Sequence, residues 1–285
     1  MMGPTAQPRQ DGRLHLQHGP IDLLIDADGP DRQEAFGAAT WRFRTVLQEL
    51  VDELPLLRSQ VSASSPRGVV ARRMHCATQR HAADGFVTPM AAVAGSAADE
   101  ILKAMTDATP LTRAYVNNGG DIALHLRGRA MFSIAMRGAD NADLGGVRIS
   151  ARDGVGGVAT SGRAGRSLSL GIADSVTVLA ADAASADVAA TLIANAVDLP
   201  GHPAIRRCPA IDLDPDSDLG ERLVVIGLGN LSRGEVVGAL DAGLRRAEDM
   251  RRNGQIHAAA LSLLGTQRLT EFPAGLKQNG ELTDA

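Results

Sequence analysis

Three different patterns follow one another without a spacer between Gly157 and Asp198, and they constrain the fold more than any other part of the chain. A turn region rich in glycine, serine and threonine comes first, from Thr160-Ser161-Gly162 to Ser167-Leu168-Ser169. The apolar, β-branched run Ser175–Ala180 follows and predicts a buried strand. An alanine-rich segment then predicts a helix that opens at Asp187. This order places the glycine loop beside the first turns of the helix.

Asp187 and Thr191 are four residues apart, so they lie on one face of the predicted helix. A carboxylate and a hydroxyl on one face suit a hard cation such as Mg²⁺, which takes oxygen ligands and keeps several waters. A purely structural interpretation is that Asp187 favours the helix dipole from the first turn, while Thr191 is a hydroxyl at the edge of the core. Spacing alone leaves both interpretations open.

Composition excludes several classes of function. The 285 residues carry a net charge of -4, which gives no overall attraction to nucleic acid or to an anionic membrane. One Trp, one Tyr and five Phe leave few surfaces on which a base or a flavin ring could stack. The apolar runs are shorter than the roughly 18 residues of a membrane span, and the first residues are polar. We therefore expect a cytoplasmic protein with reduced cysteines at Cys76 and Cys208.

The remaining patterns predict one α+β domain, with a mixed or antiparallel sheet flanked by helices. Residues 1–11 are expected to be disordered, residues 12–269 to form the domain, and residues 270–285 to form a loose tail. The sequence predicts a hairpin at Arg13–Asp26, helices at Asp31–Leu54 and Val69–Ala83, and a second hairpin at Arg113–Leu126. It further predicts a loop at Leu199–Asp218, a strand at Arg222–Leu228 and a capped helix after Ser232.

The second hairpin carries an unusual turn, Asn117-Asn118-Gly119-Gly120-Asp121. Two Asn and an Asp around a Gly-Gly backbone supply donors and acceptors at a point that a ligand can approach closely. The other interpretation is an ordinary hairpin turn, for which Asn-Gly is a common signal. In the helix Val69–Ala83, His75, Cys76 and His81 lack a fourth ligand and the spacing of a zinc site.

Five short motifs in sequence order resemble those of the ApbE superfamily, whose founding members are Mg²⁺-dependent FAD:protein FMN transferases. The motifs are a small-residue helix start, a Gly-Gly-Asp turn, a Ser-Gly turn, a Ser-Val-Thr-Val strand and an Ala-Asp to Ala-Thr helix: Gly95–Asp99, Asn117–Asp121, Thr160–Gly162, Ser175–Val178 and Ala186–Thr191. The resemblance implies Mg²⁺ held by Asp187, Thr191 and the backbone carbonyl of Ala97, with FAD as the substrate.

The chain is more similar still to one poorly characterised branch of that superfamily. The branch is typified by a PMAAVAG stretch, an NGGD turn and a long run that begins with a Ser-Gly turn. The matching segments here are Val87–Gly95, Val116–Asp121 and Thr160–Val178.

Two departures from the flavin transferases bear on activity. Ala94 stands where the transferases have a lysine before the motif glycine, and their HxxDPxTG loop between the Ser-Gly turn and the strand is absent here. Arg163 and Arg166 lie in the shortened loop, where guanidinium groups could clamp a phosphate or carboxylate. The alternative is that both arginines are solvated.

Three functions remain open at this point. The first is a flavin-transferase type of enzyme, with FAD as substrate and a flavinylated target protein. The second is a different small-molecule enzyme, a hydrolase or lyase acting on an anionic heterocycle or a carboxylate, and the third is a non-catalytic metabolite-binding module. A homodimer would be an ordinary outcome for such a chain. Catalytic roles are assigned to Asp121, Ser161 and Asp174, and ligand contacts to Asn117, Asn118, Gly119, Gly120, Thr160, Gly162, Arg166, Ser167 and Ser169.

Overall fold

The computed structural model of the chain describes residues 3–137, 143–165, 167–271 and 277–279. The strands are, in chain order, β1 (Thr5–Pro8), β2 (Leu14–His18), β3 (Ile21–Asp28), β4 (Arg113–Asn118), β5 (Asp121–Leu126), β6 (Met131–Arg137), β7 (Asp143–Ser150), β8 (Gly157–Ser161), β9 (Ser175–Ala180), β10 (Ile205–Pro209), β11 (Leu223–Leu228), β12 (Ala258–Leu263), β13 (Thr266–Leu269) and β14 (Lys277–Asn279).

The helices are α1 (Arg32–Asp52), α2 (Leu54–Leu57), α3 (Val69–Gln79), α4 (Val93–Ala108), α5 (Ala183–Ala196), α6 (Ala210–Leu213) and α7 (Arg233–Arg252). Two short 3₁₀ turns, Ala82–Asp84 and Pro89–Ala92, precede α4. Among the residues that the structure describes, every helix is too short or too polar to cross a lipid bilayer.

The chain divides into two compact units, each built from separated segments. The first contains the described residues of Met1–Met131 together with Ser150–Ala159 and Ala180–Val188. In it β1 to β5 pair antiparallel in sequence order, and β8 pairs antiparallel with β5. Helix α4 packs on β4 and β5, while α1 contacts α4 and the first strands. The core between them is apolar because every second residue of β3 is buried.

The turn between β4 and β5 has the two-residue form that hairpins favour. Asn118 pairs with Asp121, and the two residues between them, Gly119 and Gly120, both have positive φ (66° and 115°). A type I′ turn needs positive φ at both central positions, which glycine adopts without strain. The predicted Gly-Gly hairpin is therefore confirmed at residue level.

The second unit contains the described residues of Phe132–Ile149, Thr160–Leu179 and Ala189–Ala285. Its central strand β12 pairs antiparallel with β9 on one side and with β13 on the other. Every residue of β9 is buried, which explains why apolar and β-branched residues predominate in its sequence, SVTVLA. Helix α7 packs on β12 and β13. Strands β10 and β11 form a separate antiparallel pair, and β14 pairs antiparallel with β7.

The predicted α+β class with a largely antiparallel sheet and flanking helices is confirmed. The structure differs from the sequence prediction at the chain ends. Residues 5–8, expected to be disordered, form β1; all four of its side chains are exposed, so no apolar alternation marks the strand. In the expected loose tail, Thr270 is buried and its hydroxyl accepts the Ala259 N–H at 2.9 Å.

Two internal predictions also need correction. Helix α5 begins at Ala183 rather than Asp187, because Asp182 accepts the Ser185 N–H at 2.7 Å and starts the helix four residues earlier. The segment Leu199–Asp218, predicted to be a loop, contains β10 and α6. Its charged strand sequence IRRCP lacks the alternation that usually identifies a strand.

Replacing Ser232 by Ala is expected to lower the free energy of unfolding by about 1 kcal/mol. The Ser232 hydroxyl accepts the Glu235 N–H at the start of α7, and the Glu235 carboxylate accepts the Ser232 N–H in return. Alanine removes the first of these bonds, whereas Ser232→Asp keeps an acceptor there. Urea denaturation of both variants checks this; equal loss in the two would contradict a capping role.

Candidate functional site

The N-termini of α4 and α5 touch in the first unit, and Gly95 makes this possible. A Cβ atom at Gly95 would lie 2.2 Å from the carbonyl oxygen of Ala183 and 2.9 Å from the nitrogen of Ala184. Both atoms belong to the backbone, so a side chain cannot be accommodated without moving one of the helices. The motif glycine is therefore required for close packing of the two helix ends.

Each of these helices supplies a carboxylate to the N-terminus of the other. Asp187 of α5 accepts the Gly95 N–H of α4 at 3.0 Å. Asp99 of α4 accepts the N–H groups of Ala183 and Ala184 of α5, at 3.1 and 2.9 Å. The first N–H groups of a helix have no partner within the helix and carry its positive dipole end, so both carboxylates bind where an anion is stabilised. We call this arrangement the reciprocal cap.

Burial dominates the electrostatics of the reciprocal cap. Burial raises the pKa of Asp187 well above its usual value, and the negative charge of Asp121 raises it further, against the lowering effect of the Gly95 and Ala94 amides. Burial also raises the pKa of Asp99 to about 6, with the amide of Ala184 opposing the shift and the charge of Asp182 adding to it. Burial and the neighbouring carboxylates thus disfavour the ionised forms of both Asp99 and Asp187.

The raised pKa of Asp99 predicts that stability falls as the pH rises from about 4 to about 6. The folded chain holds this proton more tightly than the unfolded chain, so the favourable contribution is complete below the unfolded pKa and is lost as the pH passes the folded one. The difference between the folded and unfolded pKa of Asp99 corresponds to roughly 3 kcal/mol. Asp99→Asn, which has no proton to lose, should flatten the unfolding free energy in this pH window. Parallel pH dependences for the wild type and Asp99→Asn, measured by urea denaturation, would contradict the assignment.

The two asparagines of the β4–β5 turn form bonds within the protein. The Asn118 amide donates to the Ala94 carbonyl at 3.1 Å, and the Asn117 side chain accepts the Gly120 N–H at 2.9 Å. Asn118 therefore ties the turn to the residue that precedes Gly95. Asp121, the first residue of β5, is half-buried and lies close enough to Asp187 to raise its pKa. Of the residues predicted for this turn, Asn118 and Asp121 thus lie beside the reciprocal cap.

The predicted hydroxyl groups come together in pairs in the second unit. The Thr191 hydroxyl donates to the Ser161 hydroxyl at 3.5 Å, and Thr160 and Thr177 share a hydrogen bond of 2.9 Å. Thr191 and Ser161 are half-buried, and Thr160 is exposed. Ser161 is therefore in hydrogen-bond contact with Thr191, the threonine of the Ala-Asp to Ala-Thr motif.

Asp174, predicted to be catalytic, is bonded through both carboxylate oxygens. One oxygen accepts from the Arg163 guanidinium, and the other accepts the Leu264 N–H at 2.6 Å. Its side chain is buried, whereas that of Arg163 is one third exposed. Gly162 has φ 145° and lies against the carbonyl of Asp174, so the predicted Ser-Gly turn packs on this aspartate. In this geometry Asp174 holds the Ser-Gly turn and the Arg163 guanidinium in place.

The remaining predicted residues lie in the loop before β9. The Ser169 hydroxyl is buried and donates to the Gly171 carbonyl at 2.9 Å, while Ser167 is exposed. Arg166 lies outside the described residues. Sequence reasoning missed Arg207 of β10, which donates to the Leu170 carbonyl and pairs with Asp198. Its only sequence signal was a charge in a segment that was predicted to be a loop.

Within the described part of the chain, the His, Cys, Asp and Glu side chains form no group of three or more that could hold a metal ion. The zinc interpretation of His75, Cys76 and His81 gains no support, since the His75 ring bonds the Ser62 carbonyl at 2.8 Å. The Ala97 carbonyl lies inside α4, and its role as a cation ligand stays a prediction.

The family model described as AbpE bacteria matches residues 5–269. The chain belongs to this family. The match confirms the resemblance to the ApbE superfamily that the motifs indicated.

Relatives with a name that states no activity match most of the chain. A UPF0280 protein of Methanothrix thermoacetophila is 32% identical over 203 residues, which is 69% of this chain and 74% of the relative. A UPF0280 protein of Methanopyrus kandleri is 35% identical over 224 residues, 76% of this chain and 85% of the relative.

Two solved structures align over almost the whole chain at low identity. The apo form of the flavinyl transferase ApbE of Pseudomonas stutzeri is 14% identical, with 95% of this chain and 94% of that chain covered and a TM-score of 0.49. An ApbE protein of Thermotoga maritima is 12% identical, with 94% and 96% covered and the same TM-score. Similarity at this level says nothing about activity.

Proposed function

We propose that this chain is a Mg²⁺-dependent enzyme of the flavin-transferase type, which cleaves FAD and transfers its FMN part to a target protein. Membership of the AbpE bacterial family supports the scaffold. The observation that carries the proposal is the half-buried carboxylate of Asp187, which lies at the start of α4 with the charge of Asp121 close by.

The oxygen donors around Asp187 are of the type that Mg²⁺ takes. One oxygen of Asp187 accepts the Gly95 N–H at 3.0 Å, and the Ala94 amide also acts on this carboxylate. A carboxylate has about four acceptor sites, so it can accept both amides and still offer a lone pair to a cation. A bound cation would offset the repulsion between Asp187 and Asp121 that raises the pKa of Asp187. Mg²⁺ is commonly held by one or two carboxylates together with waters and the phosphates of the substrate, so a set of fewer than three acidic ligands suffices. Thr191, one turn further along α5, is the proposed hydroxyl ligand.

Each residue in the proposal has a defined task. Asp187 and Thr191 would hold the cation, which would supply positive charge to stabilise the phosphate group under attack. Asp121 accepts the proton of the target hydroxyl that attacks the FMN phosphorus, and AMP leaves as the anhydride bond breaks. Asn118 keeps the turn that carries Asp121 against α4 through its bond to Ala94. Ser161 contacts Thr191 and orients its hydroxyl.

Two features favour a second candidate, a different hydrolase or lyase acting on an anionic heterocycle or carboxylate. Ala94 replaces the transferase lysine, and its carbonyl is occupied by Asn118. The loop that carries a histidine in the transferases is replaced here by one in which Arg163 is oriented by Asp174. A guanidinium held in place by a buried carboxylate is suited to bind an anionic ligand. Loss of one catalytic group commonly reduces the rate by roughly 10²–10⁴-fold, so the transferase reaction would be slow unless Arg163 compensates.

The setting of the reaction is also a proposal. Cys76 and Cys208 are both free thiols, which fits a reducing compartment such as the cytoplasm. A target protein that receives FMN and a homodimeric state remain proposals of the same kind.

The proposal is tested by incubating the protein with FAD, once with Mg²⁺ and once with EDTA, and measuring by chromatography the AMP that is released. We expect AMP only when Mg²⁺ is present, together with FMN that is free or attached to a peptide containing Ser or Thr. Turnover of an anionic small molecule that persists in EDTA would support the second candidate. Saturable ligand binding without any product would support a binding module and contradict both enzymes.

A further inference from the structure

We propose that Asp99 is a positioning residue, which fixes the start of α5 and thereby the place at which Asp187 meets the first turn of α4. The inference rests on the proposed function only in treating Asp187 as the cation ligand. Asp99 itself contacts the backbone of α5 and is buried, so it would act on a bound cation through Asp187.

The start of α5 is held at all four of its first N–H groups. Asp99 accepts from the first two, Ala183 and Ala184, and the side chain of Asp182 accepts from Ser185. The fourth N–H, of Ala186, donates to the Asp182 carbonyl at 3.1 Å. Asp99 is the member of this set that comes from α4, so among these four bonds its two are the ones that relate the start of α5 to α4.

Two bonds to consecutive N–H groups restrict both the translation and the rotation of a helix end. Successive residues of a helix are separated by about 1.5 Å along the axis and about 100° around it. Asp187 lies four residues after Ala183 and so just over one turn along α5. A small shift or rotation of the helix start would move the Asp187 carboxylate away from the Gly95 N–H, which it now accepts at 3.0 Å.

The contact at Gly95 makes the system sensitive to such a shift. The backbones of Gly95 and Ala183 lie so close that a methyl group does not fit between them. Asp99 of α4 accepts a hydrogen bond from the α5 backbone, and Asp187 of α5 accepts one from the α4 backbone, so both bonds hold the two helix ends together. Loss of the Asp99 bonds leaves two buried N–H groups without their acceptor, which favours separation of the helix ends.

The amide resonance of Gly95 in the full chain, recorded without added metal, reports on this directly. Asp187→Asn provides the reference for an altered bond to Gly95. In Asp99→Ala we expect the Gly95 amide to move and its hydrogen exchange to accelerate. Asp99→Asn keeps one acceptor oxygen and should produce a smaller displacement. Asp182→Asn is the matched control, since it removes a neighbouring charge, keeps a capping oxygen and should leave Gly95 in place.

An unchanged Gly95 amide in folded Asp99→Ala would overturn the inference, as would equal displacements in Asp182→Asn and Asp99→Asn. If Asp99→Ala does not fold, the comparison of the two asparagine variants decides. A residue needed only for stability would lower the melting temperature and leave the Gly95 resonance where it is.

Binding of Mn²⁺ as a probe for Mg²⁺, measured by electron paramagnetic resonance, separates this inference from the proposed function. We expect affinity to fall about tenfold in Asp99→Ala, as is common when a residue that orients a metal ligand is lost, and to recover partly in Asp99→Asn. Wild-type affinity in folded Asp99→Ala would contradict the inference. Absence of Mn²⁺ binding in the wild type would contradict the proposed function, and the Gly95 amide would still decide the role of Asp99.

Discussion

Asp187→Asn is expected to reduce Mg²⁺-dependent cleavage of FAD by roughly 10²–10³-fold, because a cation stabilises the transition-state charge by several kcal/mol. The variant should remain folded, since the asparagine side-chain oxygen can still accept the Gly95 N–H. Removing a half-buried charge beside Asp121 also relieves repulsion, so stability at neutral pH should be maintained or increased. Initial rates over a range of Mg²⁺ concentrations provide the measurement.

Two comparisons make this test specific. Asp187→Ala loses the capping oxygen as well as the charge and should lower the melting temperature in addition to the rate. Asp107→Asn removes an exposed carboxylate of α4 that pairs with Lys103, and it should leave the rate unchanged. Full activity of Asp187→Asn at every Mg²⁺ concentration would show that Asp187 is only a helix cap.

Gly95→Ala is expected to lower the free energy of unfolding by roughly 3 kcal/mol or more, which corresponds to a fall in melting temperature of about 6–12 °C. The added methyl group would lie 2.2 Å from the Ala183 carbonyl oxygen and 2.5 Å from its carbon, so the helix ends must separate. Separation stretches the bonds of the reciprocal cap on both sides, and cation affinity should fall together with stability.

Gly238→Ala in α7 is the matched control for this substitution. Gly238 is an exposed helical position with open space where the methyl group would lie. Alanine there should stabilise the chain by about 0.5–1 kcal/mol, the usual difference between the two residues in a helix. Calorimetry of both variants checks the contrast. A Gly95→Ala variant as stable as the wild type would mean that α4 and α5 do not pack as closely as described.

Local patterns predicted the elements that are determined locally. Apolar and β-branched residues predominate in β9 because the strand is buried on both faces. The Ser232 capping box marks the start of α7 in the sequence itself. Strand β1 was not predicted because it is held by backbone pairing with β2 and all four of its side chains are exposed. Its sequence therefore shows no alternation of apolar and polar residues. The start of α5 was predicted four residues late although Asp182 caps it locally. The second contribution, the bond from Ala183 N–H to Asp99, comes from 84 positions earlier and has no local sequence signal.

In the candidate site, too, local features could be predicted from the sequence and contacts between distant residues could not. The motifs selected Asp187, Asp121 and Thr191 as site residues, and their proposed roles stay predictions. Which oxygen bonds which amide depends on how close two helices come, which the sequence does not show. Gly95 was recognised as part of a small-residue motif, and the structure shows that the α5 backbone lies against it. Asp99 was noticed only as the end of a motif. A carboxylate within a run of small, buried residues was the signal that could have identified a capping role.

In the proposed function, Asp187 forms a cation site through which a flavin nucleotide binds. This can be measured by calorimetric titration of FAD into the full chain, with saturating Mg²⁺ and again in EDTA. We expect saturable binding with Mg²⁺, at least tenfold weaker binding in EDTA, and the same weakening in Asp187→Asn at saturating Mg²⁺. FAD that binds equally well in EDTA, or that does not bind under either condition, would contradict it.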